Sequence, residues 1–495
     1  MSTKLLRREW TAFRSLGRLA ALATAALAII SLGLLYAVGN RSSCDGPCPA
    51  VPTADNGSVV SDQFWFRHRD LGEQGSITVR LTAMTGTITY PPPGHDQIVP
   101  GLVPWAKAGI IIKDGVRQGS QYAALMMTGS HGVRFQHNYR HDVAGTGATE
   151  QSPRWLRLTR AGDTITGSES ADGERWHTVA TVQLDGLPAT AQVGLFATSP
   201  GDLTLRRTGL GGAIEQVRFT QAVGVFDNIT VQGGTVGTWQ SEPVGDMNHT
   251  DWEKYHNASG SVEKDGVVTI SGVGDIGPLG EGGTRGAEKS LTGLVIALII
   301  VIVVAARHGA RAAHQSRPVI AARAVITGTA TFVTGLVAVA VVLPLSTAIL
   351  KTNGVPVQPM SVLTTVRLVV GIATVLALCA VLVLALGVWA RRGWAAVLIG
   401  LSLIALPYAV TTLPLLPDPV AEWLLRLTPA AAFAVGQTRV EYSQVIAHYA
   451  PSAGYYPLPW WAGLLVLCAY TVIVVRVAVR GAPAANTAPQ PEPAR

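Results

Sequence analysis

The chain has 495 residues, 48% hydrophobic and only 14% charged, with a mean hydropathy of +0.32. Soluble domains average about 25% charged residues, so these figures exclude an ordinary soluble protein and call for a large lipid-facing fraction. The formal charge of +7 is unevenly placed: residues 39–288 hold 19 Lys and Arg against 26 Asp and Glu, and the remainder 19 against 5. Basic membrane flanks around an acidic, outward-facing middle produce that pattern, and the high pI carries no nucleic-acid signal.

In chain order, residues 1–15 contain "KLLRREWTAFRS", with Leu5, Leu6, Trp10 and Phe13 at helical spacing among charges. That pattern predicts a cytoplasmic helix lying in the membrane interface. Residues 16–38 predict the first span. The run is too long for a signal peptide and lacks a cleavage site, while Arg7, Arg8, Arg14 and Arg18 place its start inside. Just beyond it, Cys44 and Cys48 in "SSCDGPCPA" suit a short-loop disulfide on an oxidising side. A metal site made from these two cysteines is the alternative.

Residues 39–288 are expected outside the cell. Segments such as "SITVRLTAM", "KAGIIIKD", "GVRFQHNY", "RWLRLTRAG" and "AQVGLFATS" carry β-formers between Gly, Asp, Asn and Pro clusters. Many short strands at regular spacing predict a sandwich, with its core at about 60–235. "SADGERW" reads as a tight hairpin, Asp172-Gly173 supplying positive φ. "GSVEKDGVVTISGVGDIGP" either completes the sandwich or forms a small subdomain at the membrane.

Five further apolar runs lie within 289–480, at about 291–306, 325–350, 363–388, 395–413 and 461–477. About 20 residues span a bilayer, so the first of these extends upstream to Lys289. The next two are long enough to tilt, or to kink at Pro344 and near Gly371. Arg307, Arg311, Arg317, Arg323, Arg391, Arg392, Arg476 and Arg480 all fall on one side if both termini are inside. The predicted fold class is therefore a membrane α-helical protein of six transmembrane helices. An all-β jelly-roll ectodomain is inserted between helices 1 and 2, and a disordered tail follows at 481–495.

Two resemblances sharpen this. "WAKAGIIIKDG", "GVRFQHNY", "RWLRLTRAGDTITGSESADGERW" and "AQVGLFATS" resemble bacterial concanavalin- and laminin-G-like jelly rolls over about 60–235. Such folds serve as lectins, hydrolases and spacers alike. "LLRREWTAFRS", "SRPVIAARAVITGTATFVTGLVAVAVVLPL", "NGVPVQP", "VRLVVGIAT" and "WLLRLTPAAAFAV" resemble actinobacterial type-2 ABC-transporter permeases over residues 1–38 and about 288–480. The loop after span two, "AARHGARAAHQSRP", departs from the acidic-aromatic-basic start expected of that family.

The permease resemblance implies a subunit that moves or extracts a substrate across the plasma membrane. It would pair with a second permease chain, a copy of itself, and with cytoplasmic ABC ATPase subunits. Arg7, Arg8, Glu9 and Trp10 of the interfacial helix, with Arg311 and Arg317 of the span two–three loop, are the coupling candidates that it implies. Positive-inside anchoring is the competing reading of the same residues. The chain's own nearest phosphate-loop candidate, "GEGGTRGAEKS", has Ala-Glu where glycine must stand before Lys-Ser. It reads as a juxtamembrane linker, so no catalytic residue and no cofactor is expected in this chain.

In the ectodomain, Trp105, Trp155 and Trp176 beside Asp172 could stack on an extracellular glycan, although tryptophans on jelly-roll strands are usually core. His137 and His141 stand four apart, spacing that suits a metal only on a helix, and this segment reads as strand. The main alternative function is a membrane-anchored adhesion or sensing protein whose sandwich binds glycan or cell wall.

Overall fold

The computed structural model describes residues 2–42, 51–89, 97–146, 153–207, 211–233, 237–248, 251–279 and 287–483. The helices in chain order are α1 (Thr3–Phe13), α2 (Leu16–Gly39), α3 (Asp251–His256), α4 (Leu294–Ala310) and α5 (Arg317–Thr352). They continue as α6 (Val362–Ala390), α7 (Gly393–Gly400), α8 (Leu406–Thr412), α9 (Asp418–Leu427) and α10 (Trp460–Arg480). Among the described residues, six stretches are helical, long and apolar enough to cross a membrane. They are Leu16–Gly39, Glu288–Ala310, Arg317–Thr352, Val362–Ala390, Gly393–Thr412 and Trp460–Arg480. In the fifth, α7 and α8 are joined through a π-helical turn, Leu401–Ala405, a device that sequence periodicity does not reveal.

The central helix is α6, which packs on α4, α5 and α10. It meets α4 through small residues. A Cβ on Gly309 would stand 2.0 Å from the Leu384 carbonyl oxygen, and one on Gly387 2.5 Å from that of Ala306. Only glycine permits that approach, the usual way helices gain contact where lipid offers no hydrophobic drive. Outward-facing Leu27 and Leu35 of α2 and Leu465 and Ile473 of α10 stay exposed, the surface a bilayer covers.

Helix α5 is longer than the predicted span. It begins at Arg317, where the backbone leaves the extended conformation of Ser316 and Pro318 is tolerated in the first turn. Its 36 residues correspond to about 54 Å, against about 30 Å of hydrocarbon, so at least one end stands clear of a bilayer. Pro344 and Gly371 interrupt neither α5 nor α6.

The strands form two large antiparallel sheets packed face to face. The seven-stranded sheet has the order Gln240–Val244, Phe64–Leu71, Ala191–Thr198, Lys107–Lys113, Tyr122–Thr128, Val133–His137, His141–Ala144. The nine-stranded sheet is centred on two long strands, Gln74–Thr89 and Ala213–Gln232. Alternation decides what each face meets: Ile77, Val79 and Leu81 turn inward to Ile110, Ile112, Leu156, Leu158 and Phe226. Each such side chain contributes about 1.5–3 kcal/mol through burial. The piece beyond residue 235 completes the sandwich. Gln240–Val244 edges one sheet, and the hairpin Gly260–Lys264/Val267–Gly272 edges the other.

The outer face of the seven-stranded sheet is also covered. A short ribbon, Val60–Asp62 paired with Ile276–Pro278, lies over Phe64, Phe66, Ile111, Tyr122 and Phe196. Two fully buried lysines at the ends of one strand hold the ribbon. Lys113 Nζ donates to Asp62 Oδ2 at 2.8 Å, to Ser120 O at 3.0 Å and to Tyr139 Oη at 3.1 Å. Lys107 Nζ donates to Ile276 O at 2.7 Å and pairs with the Asp275 carboxylate. Sequence reading saw only a strand in "KAGIIIKD". The available signal was a lysine at each end of an otherwise apolar run, both ends falling on the same face.

The sandwich rests on loops at one end of the helices. Val59 N donates to Gln358 Oε1 at 2.7 Å, Gln444 Nε2 to Arg140 O at 3.0 Å, and His448 N to Glu215 Oε1 at 3.1 Å.

Candidate functional site

At the opposite end of the bundle the sequence is almost purely basic. Among the described residues, Lys4 and twelve arginines (7, 8, 14, 18, 307, 311, 317, 323, 391, 392, 476 and 480) share it with a single acid, Glu9. Helix α1 starts where the Ser2 hydroxyl accepts the Leu5 N–H at 3.3 Å, an N-cap. Its Leu6, Glu9 and Phe13 fall on one face and its Lys4, Arg7, Arg8 and Arg14 on the other, the latter all exposed.

Two sets of contacts fasten that inner face. Glu9 Oε2 meets Arg323 Nε at 2.8 Å, with both side chains largely buried, and so ties α1 to the second turn of α5. Phe13, fully buried, lies edge-on to His308 near the end of α4, with centroids 5.4 Å apart at 75°. Arg18 closes the cluster. Its Nη1 donates to His308 Nδ1 at 2.6 Å and its Nε to Ser15 Oγ at 2.9 Å, and its guanidinium sits 5.4 Å from the Phe13 ring centroid. Since arginine only donates, His308 Nδ1 accepts and the ring is neutral there.

The predicted coupling residues therefore divide. Glu9 is turned inward and spent on Arg323, whereas Arg7, Arg8 and Trp10 remain exposed on α1. Arg311 caps the end of α4 and Arg317 opens α5, both exposed across a six-residue connection. Arg317 also reaches the end of α10, its Nε donating to Ala482 O at 3.4 Å. Chemically, this end can grip an acidic protein surface or anionic head groups. Sequence reading missed Arg323 and His308 as partners. The signal was a lone acid on the apolar face of a basic helix, four residues before a phenylalanine.

In the β region, three of the four predicted ligand residues are neighbours. Asp172 organises the loop 171–176: Oδ1 accepts the N–H groups of Glu174 at 3.0 Å and Arg175 at 2.9 Å, and Oδ2 the Arg175 guanidinium at 2.8 Å. The N–H of Arg175, then that of Glu174, hold its carboxyl far below the usual carboxylate range. This loop is six residues, not a tight two-residue turn, and only Gly173 (φ 82°) takes positive φ.

Gly173 packs against the Trp155 ring, and Trp176 Nε1 donates to Gly173 O at 3.0 Å. Both tryptophans are half-buried, with Arg157 stacked 3.7 Å from the Trp176 centroid and Arg80 5.8 Å from that of Trp155. Trp105 lies apart from them, in the turn before the strand Lys107–Lys113 of the other sheet, and is buried, stacked on His131 at 4.1 Å.

His137 and His141 stack across a hairpin at 4.4 Å. Burial, then His141, lowers His137 to about 4. Among the described residues no group of three His, Cys, Asp or Glu side chains could hold a metal. Cys44 and Cys48 lie outside the described residues. Glu288, in the predicted linker, is anchored instead, its Oε1 accepting Arg439 Nε at 3.1 Å.

No protein-family model and no curated protein matches the chain. Solved structures with some likeness include a functionally unknown protein from Saccharomyces cerevisiae, 13% identical, covering 40% of this chain and 94% of that one, TM-score 0.23. The peptidase SCP-B of the eqolisin family, in complex with the tripeptide Ala-Ile-His, is 8% identical and covers 42% of this chain and 98% of that one, TM-score 0.26. The GH43 protein BlXynB from Bacillus licheniformis is 16% identical over 32% of this chain and 28% of that one, TM-score 0.21.

Proposed function

We propose that this chain is the membrane-spanning permease subunit of a type-2 ABC transporter in the plasma membrane. Both termini are cytoplasmic, and the sandwich, inserted between the first and second spans, is outside. Two such chains pair, and separate ATPase subunits dock on the arginine-rich end.

One observation carries this reading. Helix α1 is fastened to α4 and α5 through Glu9–Arg323 and Phe13–His308–Arg18, while Arg7, Arg8, Trp10, Arg311 and Arg317 stay exposed. A partner that grips those exposed groups and moves α1 would displace both helices, because the buried contacts leave no slack. The substrate is exported or drawn from the bilayer.

Purification in mild detergent tests it. An ATPase chain should accompany the protein, and deleting residues 2–14 should abolish that association. A lone chain, indifferent to loss of α1, would sink the reading. The adhesin alternative draws on half-exposed Trp155 and Trp176. It gains if the protein retains glycans while no ATPase co-purifies.

A further inference from the structure

At the sandwich end of the helices, a cleft of about 210 Å³ lies between the first turns of α6 and α10, lined by Thr364, Arg367, Gln437, Arg439 and Trp460. Its two cations are in different states. Arg439 is neutralised by Glu288, which also accepts the Thr438 hydroxyl. Arg367, in the second turn of α6, meets only the Gln437 carbonyl oxygen through Nη2. Its Nε is buried and finds no acceptor among the described residues. Gln437 cannot supply more, because its Nε2 donates to Arg439 O at 3.2 Å and its Oε1 accepts Tyr456 N at 3.0 Å.

A guanidinium at the edge of an apolar span, with a buried donor unused and the nearest acid already taken, lacks its counter-charge. We propose that this cleft binds the anionic head group, phosphate or carboxylate, of a membrane amphiphile in the leaflet beside the sandwich, with Arg367 as its counter-charge. Guanidinium pairs with such oxyanions through charge-assisted hydrogen bonds, and Nε and Nη1 are the donors left to serve. The surface continuing from the cleft suits acyl chains rather than a soluble anion. Val366 and Val370 follow on α6, Trp461 and Leu465 on α10, all exposed and apolar. Trp460 opens the apolar helix α10 at its sandwich end, and aromatic side chains at the ends of spans favour the head-group level. That this leaflet is the outer one rests on the proposed topology; binding itself does not.

The test uses the full-length chain, delipidated in detergent and read by native mass spectrometry against phosphatidylglycerol and phosphatidylcholine. Wild type should prefer phosphatidylglycerol by about tenfold, the worth of one charge-assisted contact. Arg367→Gln should bring the two lipids level, and Arg367→Lys should keep part of the preference. Phosphatidylcholine retention by each variant reports that it is folded. Equal binding by wild type, or preference surviving in Arg367→Gln, overturns the site. Displacement of the lipid by inorganic phosphate would show that a soluble anion is the ligand and overturn the amphiphile. Because no ATPase takes part, the result is separable from the permease reading.

Discussion

The two ends of the helix bundle treat charge in opposite ways. At the sandwich end three sheltered cations are matched by acids, Lys113 with Asp62, Lys107 with Asp275 and Arg439 with Glu288, and Arg367 is the exception described above. At the other end, among the described residues, Lys4 and twelve arginines face one acid, and that acid is spent internally on Arg323. Matched, buried charge fixes geometry. Unmatched, exposed charge awaits a partner and adds little to stability. Shape is therefore built at one end, while the other is left available for docking.

Breaking the matched end should cost most. Lys113→Met leaves Asp62 buried without its counter-charge, a change that destabilises by about 3–5 kcal/mol. Thermal unfolding in detergent, followed by intrinsic fluorescence, should show the sandwich melting earlier. Adding Asp62→Leu should recover most of the loss, because two apolar groups of similar volume replace the pair. If the single variant melts like wild type, the ribbon does not depend on this pair.

At the other end the ion pair Glu9–Arg323 fastens one short terminal helix rather than a sheet, so the effect is smaller and local. Glu9→Ala should cost about 1.5–3 kcal/mol, the range for a hydrogen bond to a charged group, felt as release of α1. Trypsin should then cut faster at Arg7, Arg8 and Arg14. The exchange Glu9→Arg with Arg323→Glu should slow cleavage again. Equal cleavage of Glu9→Ala and wild type would separate α1 from the latch described above.

These two regions were unequally legible in the sequence. The apolar spans announced themselves because lipid contact requires long uninterrupted runs. The sandwich strands did so because Ile77, Val79 and Leu81 alternate with outward-facing residues. What escaped was pairing across distance. Arg323 lies 314 residues from Glu9, and Asp275 lies 168 from Lys107; no local pattern encodes such partners. Trp155 and Trp176 were named as candidates, with core as the usual reading, but their burial was not legible. Trp155 sits on the outer face of a strand whose inner face is core and Trp176 in the loop that follows the next strand, and periodicity identifies faces without saying what covers the second one.

A third, gentler perturbation is acid on the hairpin Val133–His137/His141–Ala144. Burial keeps His137 neutral in the fold down to about 4, whereas an unfolded histidine protonates near about 6.5. Between those values the unfolded chain binds a proton that the folded one refuses, so stability falls as pH drops from about 6.5 to about 4. Above that window His137 contributes no slope. His137→Gln should flatten the fall in melting temperature across this range. An unchanged slope would assign it to other groups.

The smallest effect belongs to Asp172; its sign is the same, but it arises from a charged form that is stabilised rather than one that burial penalises. Its folded carboxyl titrates below the ordinary range because Arg175 and Glu174 donate to it. The loop's stability is therefore fully present above the ordinary carboxylate value of about 3.9 and drains away as pH falls through the lower folded value. Hydrogen exchange at the Glu174 and Arg175 amides should stay protected at acidities where exposed carboxylates are already protonated. Deprotection in step with those ordinary carboxylates would contradict the cap. Asp172→Asn retains an acceptor for the two amides and should keep most of the protection, while Asp172→Ala should lose it. Since Gly173 packs on Trp155 and accepts from Trp176, the alanine variant should also shift both tryptophans. If that shift changes glycan retention while the asparagine variant leaves it intact, this face of the sandwich is a recognition surface as well as a scaffold.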